Sequence, residues 1–275
     1  MKEQERKRLT ALAAEVRRET ASTIAAFGVG HVGGAMSIVE TLVQLYYKTM
    51  NIDPTRPRWE DRDRFVLSKG HSGPSLYAVL AMKGYFDREE LKTLNRPGTR
   101  LPSHCDMNKT PGIDMTAGSL GQGLSAAVGM ALAARMDGKS YRVYCIIGDG
   151  ESQEGQIWEA TMLAAQQRLD NLTVFLDDNG MQLDGYTDNV NSIRPVDKRW
   201  GGFGWEVITI DGHDFDQLDF ALRIAQSTKG KPTLIHLVTT KGKGLPISEG
   251  KLSSHNMPIT PEDLDLCLKA LEEGI

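Results

Sequence analysis

Residues 142–180 read RVYCIIGDGESQEGQIWEATMLAAQQRLDNLTVFLDDNG, and this stretch decides the fold. It contains two largely apolar runs, 142–147 and 172–176, on either side of a segment whose spacing predicts a helix over 157–168. The run VYCII is apolar without alternation, as is typical of strands buried on both faces of a parallel sheet. The stretch therefore predicts two parallel strands joined by a crossover helix.

Further helices and strands are predicted on both sides of this stretch. Apolar periodicity predicts further helices over 9–27, 37–48, 120–136 and 215–228, and further strands over 65–67, 206–210 and 233–239. Prolines in 51–64 and 96–116 predict two irregular regions, and long loops of this kind tend to be functional. This alternation predicts an α/β fold, a doubly wound and mostly parallel sheet with helices on both faces, as one domain over 1–275.

Composition excludes several classes of protein. The 275 residues are 40% hydrophobic and 25% charged, with 32 Lys and Arg against 36 Asp and Glu and a formal charge of -4. No basic field is available for nucleic acid or anionic lipid, and no apolar run approaches the roughly 20 residues of a membrane span. Mixed charge at residues 2–8 argues against a signal or transit peptide, and three cysteines favour a reducing compartment. We therefore expect a cytoplasmic protein without nucleic acid or membrane partners.

One familiar motif occurs in the wrong context. Residues 28–33 read GVGHVG and match GxGxxG, with Asp53 at the distance of a ribose-binding acid. That fingerprint must follow a strand and open a helix, whereas here it follows a strongly helical segment. A dinucleotide site at this position is therefore disfavoured.

Polar residues follow both strands of the central unit. Asp149, between two glycines, comes directly after the first strand, and Asn179 follows the second. Ligands of open α/β sheets bind at the carboxyl ends of strands, and Mg²⁺ takes one or two carboxylates together with other oxygens and ligand phosphates. The pattern favours a site for a metal and a diphosphate, although Asp and Asn are also common in ordinary turns.

Further motifs give the chain a resemblance to a known family. GDGESQEGQIWEA at 148–160 with DDNGMQLDG at 177–185 resembles the thiamine-diphosphate-binding motif, and its wording is similar to that of transketolase. The other motifs are GHVGG at 30–34, SKGH at 68–71, SH at 103–104, GSLGQG at 118–123, KGKG at 241–244 and His255. The resemblance covers essentially the whole chain, and it implies ketol transfer between sugar phosphates.

The resemblance also implies roles for individual residues. Asp149 and Asn179 would bind Mg²⁺ (or Ca²⁺) through their side chains, and Met181 would bind it through its backbone oxygen. Thiamine diphosphate would lie against His71, Gly118, Ser119, Leu120, Asp149, Gly150, Asn179, Lys241 and His255. The implied catalytic residues are His31, His71, His104, His255 and Glu154, the last of which matches an acid at a subunit interface.

Imidazoles suit the proton movements of ketol transfer because their pKa lies near neutrality. A single loop histidine is more often a surface residue, but four of them in one set of motifs reverse that expectation. His213 is instead interpreted as a cap or loop residue, and His236 as a core residue with satisfied hydrogen bonds. Core positions are also predicted for Trp158, Met130, Met136, Met162 and Cys145, and Cys105 is expected close to the site.

The whole chain resembles only one part of transketolase, the diphosphate-binding domain. The pyrimidine-binding and C-terminal domains, with the glutamate that activates the cofactor, are expected on a partner chain, so the resemblance implies the N-terminal subunit of an α2β2 enzyme. Two alternatives remain. One is another thiamine-diphosphate enzyme, such as a 2-oxo-acid dehydrogenase α subunit or a protein like 1-deoxyxylulose 5-phosphate synthase. The other is a cofactor-binding protein without catalysis.

Overall fold

A computed structural model of the chain describes residues 1–274. The helices are α1 (Glu3–Phe27), α2 (Val32–Met36), α3 (Val39–Gln44), α4 (Gly73–Lys83), α5 (Gln122–Met136), α6 (Gly155–Gln166), α7 (Thr187–Asn191), α8 (Val196–Gly202), α9 (Phe215–Ser227) and α10 (Pro261–Glu273). The strands are β1 (Val29–Gly30), β2 (Arg64–Leu67), β3 (Val143–Gly148), β4 (Leu172–Asp178), β5 (Met181–Gln182), β6 (Gly185–Tyr186), β7 (Glu206–Asp211), β8 (Thr233–Val238) and β9 (Met257–Pro258). None of these helices is long and apolar enough to cross a membrane.

Five parallel strands form the main sheet in the order β2-β3-β4-β8-β7. Successive side chains of β3 enter opposite cores, since Tyr144 and Ile146 pack on one face and Cys145 and Ile147 on the other. Helices α1, α3, α4, α9 and α10 cover the first face, and α5, α6 and α8 cover the second. The predicted doubly wound sheet, buried on both faces, is confirmed.

The predicted elements are all present, with shifted ends. The helix predicted over 37–48 is α3 followed by a π-helical turn at Leu45–Thr49. The two proline-containing regions have no regular secondary structure. The first carries only turns and bends over residues 51–63, before β2, and the second over residues 96–116. The GxGxxG segment follows α1, and its short strand β1 pairs with β9 outside the main sheet. Its context is therefore not that of a dinucleotide fingerprint.

Two substantial helices were not predicted from the sequence. Residues 73–81 of α4 are all buried, so the helix is apolar on every side and shows no periodicity that marks one face. Helix α10 does carry recognisable signals, because Thr260 and Asp263 form a capping box and Pro261 occupies the first turn. Those signals would have been sufficient to predict α10.

The prediction of core positions for Met136 and Met162 is wrong. Their side chains are 83% and 57% exposed, whereas Trp158 and Met130 are half-buried against the second core. Cys145 is buried, as predicted. Helical spacing identifies residues that share a face, but it does not say whether the face meets the protein's own core.

Candidate functional site

A cavity of about 390 Å³ lies at the carboxyl edge of the main sheet. Parallel strands end at the same edge, so the segments that follow β2, β3, β4 and β8 converge there. The predicted site residues in its wall are His31, His71, His104, Gly118, Leu120, Asp149, Gly150, Glu154, Asn179, Met181, Lys241 and His255. Ser119 is not in the wall; it is exposed, and its hydroxyl accepts a hydrogen bond from Gln122 at 3.2 Å.

Four imidazoles form a cluster over this cavity. The ring centroid of His31 lies 5.3 Å from that of His71, 5.5 Å from that of His104 and 5.4 Å from that of His255. The rings come from four separate segments, and a Cβ on Gly34 would lie only 3.4 Å from His71 Nε2. A glycine at residue 34 therefore permits the close approach of His71.

Burial favours the neutral form of all four histidines. Burial, together with the neighbouring His104, lowers the pKa of His31 to about 4, and burial with Lys241 lowers that of His255 to about 4. Burial lowers the pKa of His71 and His104 as well. Each neutral ring offers one donor and one acceptor nitrogen, which suits the recognition of hydroxyl groups.

Asp149 and Asn179 lie side by side at the ends of β3 and β4. Asp149 accepts hydrogen bonds from the Gly150 N–H at 2.8 Å and from the Thr187 hydroxyl at 3.1 Å. The Asn179 amide donates to Asp177 at 3.1 Å, and its oxygen accepts from the Met181 N–H at 3.2 Å. These bonds fix the orientation of both oxygen-bearing side chains.

The electrostatics of this edge favour a bound cation. Burial raises the pKa of Asp149 to about 7, and the nearby carboxylates of Asp177 and Asp178 add to that rise. Within residues 1–274, no three His, Cys, Asp or Glu side chains are grouped as a metal site. A carboxylate, an amide oxygen and the Met181 carbonyl are ligands for a hard cation such as Mg²⁺ or Ca²⁺, with phosphate and water completing its shell. The residues present therefore fit such a group.

Two basic residues flank the oxygen ligands. Lys241 is 2% exposed, and its ammonium lies 3.4 Å from the Met181 carbonyl and 3.4 Å from His255 Nδ1. Lys69, which was not predicted, donates to Asp177 at 2.6 Å and to the Gly34 carbonyl at 2.8 Å. Lys69 lies within the quoted SKGH motif, but nothing in the sequence identifies Asp177 as its partner.

Two acidic residues that were not predicted as site residues, Glu151 and Asp178, form hydrogen bonds that fix the loops around the cavity. The Glu151 carboxylate accepts from the Gly121 N–H at 2.9 Å and from the Gly148 N–H at 3.0 Å, so it joins the start of α5 to the end of β3. Asp178 accepts from Arg194 at 2.6 Å and lies 2.9 Å from His236 Nε2. The interpretation of His236 as a satisfied core residue is therefore confirmed.

A family model described as transketolase, thiamine diphosphate binding domain, matches residues 9–272. The chain is 57% identical over 258 residues, 94% of each sequence, to the 6-deoxy-6-sulfo-D-fructose transketolase subunit SqwG of Clostridium sp. (strain MSTE9). It is 40% identical over 246 residues, 90% of this chain and 87% of the relative, to one of the subunits of the apulose-4-phosphate transketolase of Phocaeicola vulgatus.

Solved structures show the same similarity. Transketolase from Leishmania mexicana superposes with a TM-score of 0.91 at 32% identity, covering 96% of this chain and 41% of that one. The Campylobacter jejuni enzyme gives a TM-score of 0.91 at 31% identity, with 96% and 42% coverage. The chain thus spans about two fifths of these solved chains.

Proposed function

This chain belongs to the transketolase family, and we propose that it is the thiamine-diphosphate-binding, N-terminal subunit of an enzyme that transfers a two-carbon ketol unit from a ketose phosphate or sulfonate to an aldose phosphate. One observation carries the proposal: four clustered histidines and a set of oxygen ligands line one cavity. The residues from 1 to 275 would form the diphosphate-binding domain. The pyrimidine-binding and C-terminal domains would belong to a partner chain.

The proposed cofactor site uses the two strand ends. Asp149 and Asn179 would hold Mg²⁺ or Ca²⁺ by their side chains and Met181 by its carbonyl, while Gly150 and Lys241 would contact the diphosphate. Gly118, Ser119 and Leu120 would border the cofactor. When bound, thiamine diphosphate supplies the carbanion chemistry that no amino acid side chain provides. Ser119 lies outside the cavity wall, so its contact would require the loop or the partner to complete the site.

The histidines are proposed to handle the sugar. His31 and His104, whose ring centroids lie 5.5 Å apart in the cavity wall, would hydrogen-bond the donor hydroxyls. His255 lies 3.4 Å from the Lys241 ammonium and its ring centroid 5.2 Å from that of His71, and these two histidines would accept or donate protons near the reacting carbon. A neutral ring has one donor and one acceptor nitrogen, so each can hydrogen-bond the sugar hydroxyls whose protons move as the bond between C2 and C3 breaks and re-forms.

The partner is proposed to cover the open side of the cavity. Glu154 is exposed at the rim, and Leu120 is 37% exposed beside it. Helix α6 begins beside that rim at Gly155 and carries the exposed apolar side chains of Met162 and Leu163. Exposed apolar faces of this kind mark protein interfaces. We infer that the pyrimidine-binding subunit packs here in an α2β2 assembly in which Glu154 lies at the interface between subunits.

The donor sugar is proposed from the relative at 57% identity, whose name specifies 6-deoxy-6-sulfo-D-fructose. Removal of C1 and C2 from that ketose would leave a four-carbon aldose that retains the sulfonate, and the two carbons would pass to an aldose phosphate. A sulfonate and a phosphate both present three oxygen acceptors, but the phosphate carries up to one more negative charge. The protein group that distinguishes a sulfonate from a phosphate would lie at the end of the cavity far from Asp149.

The test compares two donors that differ only at C6. The chain, purified with the subunit that it captures from its own source, is supplied with Mg²⁺, thiamine diphosphate and glyceraldehyde 3-phosphate. Transfer from 6-deoxy-6-sulfofructose at least tenfold faster than from fructose 6-phosphate supports the complete proposal. The reverse preference would retain the transketolase and reject the sulfonate. Cofactor binding without transfer from either donor would refute ketol transfer by this complex.

A further inference from the structure

The segment that carries Lys241 into the cavity is held at both ends by side chains outside the cavity. The Thr240 N–H donates to His213 Nε2 at 2.9 Å, and Arg17 Nε donates to the Lys243 carbonyl at 2.9 Å. His213 follows β7, and Arg17 lies in α1, so two distant parts of the chain meet this one segment.

A buried carboxylate joins these two contacts. Arg17 donates to the two oxygens of Glu40 at 2.8 and 2.9 Å, and His213 Nδ1 lies 3.0 Å from Glu40. Because Nε2 of His213 accepts from a backbone N–H, its proton must be on Nδ1, which donates to Glu40. Burial alone would raise the pKa of Glu40, but Arg17 and then His213 outweigh it and hold that pKa at about 2. Glu40 is therefore a fixed anion between Arg17 and His213.

The segment itself has little freedom near Lys241. A Cβ on Gly33 would lie 2.8 Å from Lys241 Cγ, and a Cβ on Gly242 would lie 2.3 Å from the Ser248 carbonyl oxygen. Gly242 also has a φ of +77°, which disfavours other residues. A small shift of the backbone at residues 240–243 would therefore move the ammonium of Lys241 away from its place beside Met181.

We propose that His213 and Arg17, which both contact Glu40, are positioning residues that aim Lys241 at the diphosphate of the cofactor. This inference rests on the proposed function, because it takes thiamine diphosphate as the anion that Lys241 meets. His213 touches neither ligand nor reacting atoms. It acts through the Thr240 N–H, and Arg17 acts through the Lys243 carbonyl.

A matched pair of variants distinguishes the effects of the two hydrogen bonds that the ring nitrogens of His213 form. His213→Gln can keep an acceptor at the place of Nε2 but loses the donor at Nδ1, whereas His213→Asn keeps the donor to Glu40 and loses the acceptor for Thr240. Titration calorimetry of the chain in complex with its captured partner subunit, with thiamine diphosphate and Mg²⁺, should show His213→Gln within about threefold of the original affinity and His213→Asn about tenfold weaker, the scale of one hydrogen bond. Arg17→Lys, which removes the Nε donor while keeping a cation beside Glu40, should show a similar loss.

A double-mutant cycle decides whether the effect passes through Lys241. In a Lys241→Met background, His213→Asn should no longer change the affinity. Equal affinities for His213→Asn, Arg17→Lys and the unaltered chain, or a tenfold loss that persists in the Lys241→Met background, would overturn the inference. Absence of cofactor binding by the complex that contains the unaltered chain would overturn the proposed function itself. If His213→Asn does not fold, Arg17→Lys in both backgrounds supplies the same comparison.

Discussion

Replacement of Asp149 by Asn should stabilise the metal-free protein while removing its affinity for the cofactor. In the folded protein, burial and the neighbouring carboxylates raise the pKa of Asp149 from 3.8 to about 7. The folded state therefore keeps a proton that the unfolded chain has already lost, and the stability that Asp149 contributes falls as the pH rises from about 4 to 7. That shift corresponds to about 4 kcal/mol, or about 1.4 kcal/mol for each pH unit.

Urea unfolding without metal, followed at pH 5, 6, 7 and 8, measures this difference. The free energy of unfolding of Asp149→Asn relative to that of the unaltered chain should rise through pH 7 and then become constant. Addition of Mg²⁺ and thiamine diphosphate at pH 8 should stabilise the unaltered chain but not the variant. Loss of an outer partner of a metal ligand typically costs roughly 10–100-fold in metal affinity, so loss of a ligand carboxylate should cost more.

Asp184→Asn is the control for this experiment. Asp184 lies in the wall of the same cavity and is exposed, so its replacement removes the same charge without relieving a buried carboxylate. It should give no comparable pH-dependent gain in stability and should leave cofactor affinity nearly unchanged. A difference between Asp149→Asn and the unaltered chain that does not vary with pH would contradict the electrostatic argument. Unchanged cofactor affinity of Asp149→Asn would contradict the metal assignment.

Three further outcomes test other parts of the structure. Lys69→Met should lower the free energy of unfolding by about 3–5 kcal/mol in chemical denaturation, because it leaves the buried Asp177 unpaired; a loss below about 1 kcal/mol would refute the role of the ion pair. Met162→Glu should weaken binding of the partner subunit, measured by light scattering of the mixture, with the melting temperature of the chain unchanged; undiminished assembly would move the interface away from α6. Burial raises the pKa of Cys105 to about 12, so iodoacetamide at pH 8 should leave this thiol unmodified in the folded protein, as mass spectrometry can verify.

The sheet and most of the site could be predicted because local patterns carried the necessary information. Strand β3 is apolar without alternation, and its end at Asp149 is marked by flanking glycines. The histidines could be grouped only through the order of several motifs, since no single spacing indicates that His31 and His255 meet. Their separation of 224 positions along the chain is closed by tertiary packing, and the rings lie 5.4 Å apart.

Partners of buried charges could not be predicted for a different reason. The pair of Arg17 and Glu40 joins residues 23 positions apart, and the pair of Lys69 and Asp177 joins residues 108 positions apart, with no local pattern that links the partners. Whether a charged residue is solvated or buried in a pair depends on which elements become neighbours, and periodicity does not contain that information. The same reason explains the wrong prediction for Met162. Helical spacing correctly placed it on one face of α6, but that face is exposed and does not pack against the core.

The charges at the carboxyl edge of the sheet explain why a divalent cation and a diphosphate should bind tightly only when both are present. Asp177 is neutralised within the fold, because Lys69 outweighs the burial that would raise its pKa. Asp178 is likewise paired with Arg194. Asp149 has hydrogen-bond donors but, within residues 1–274, no cation in direct contact, so burial and the neighbouring carboxylates disfavour its ionised form. A divalent cation would remove that instability, and the diphosphate would balance the excess positive charge of the cation and Lys241. Cation and diphosphate should therefore bind with positive cooperativity, each raising the affinity of this chain for the other.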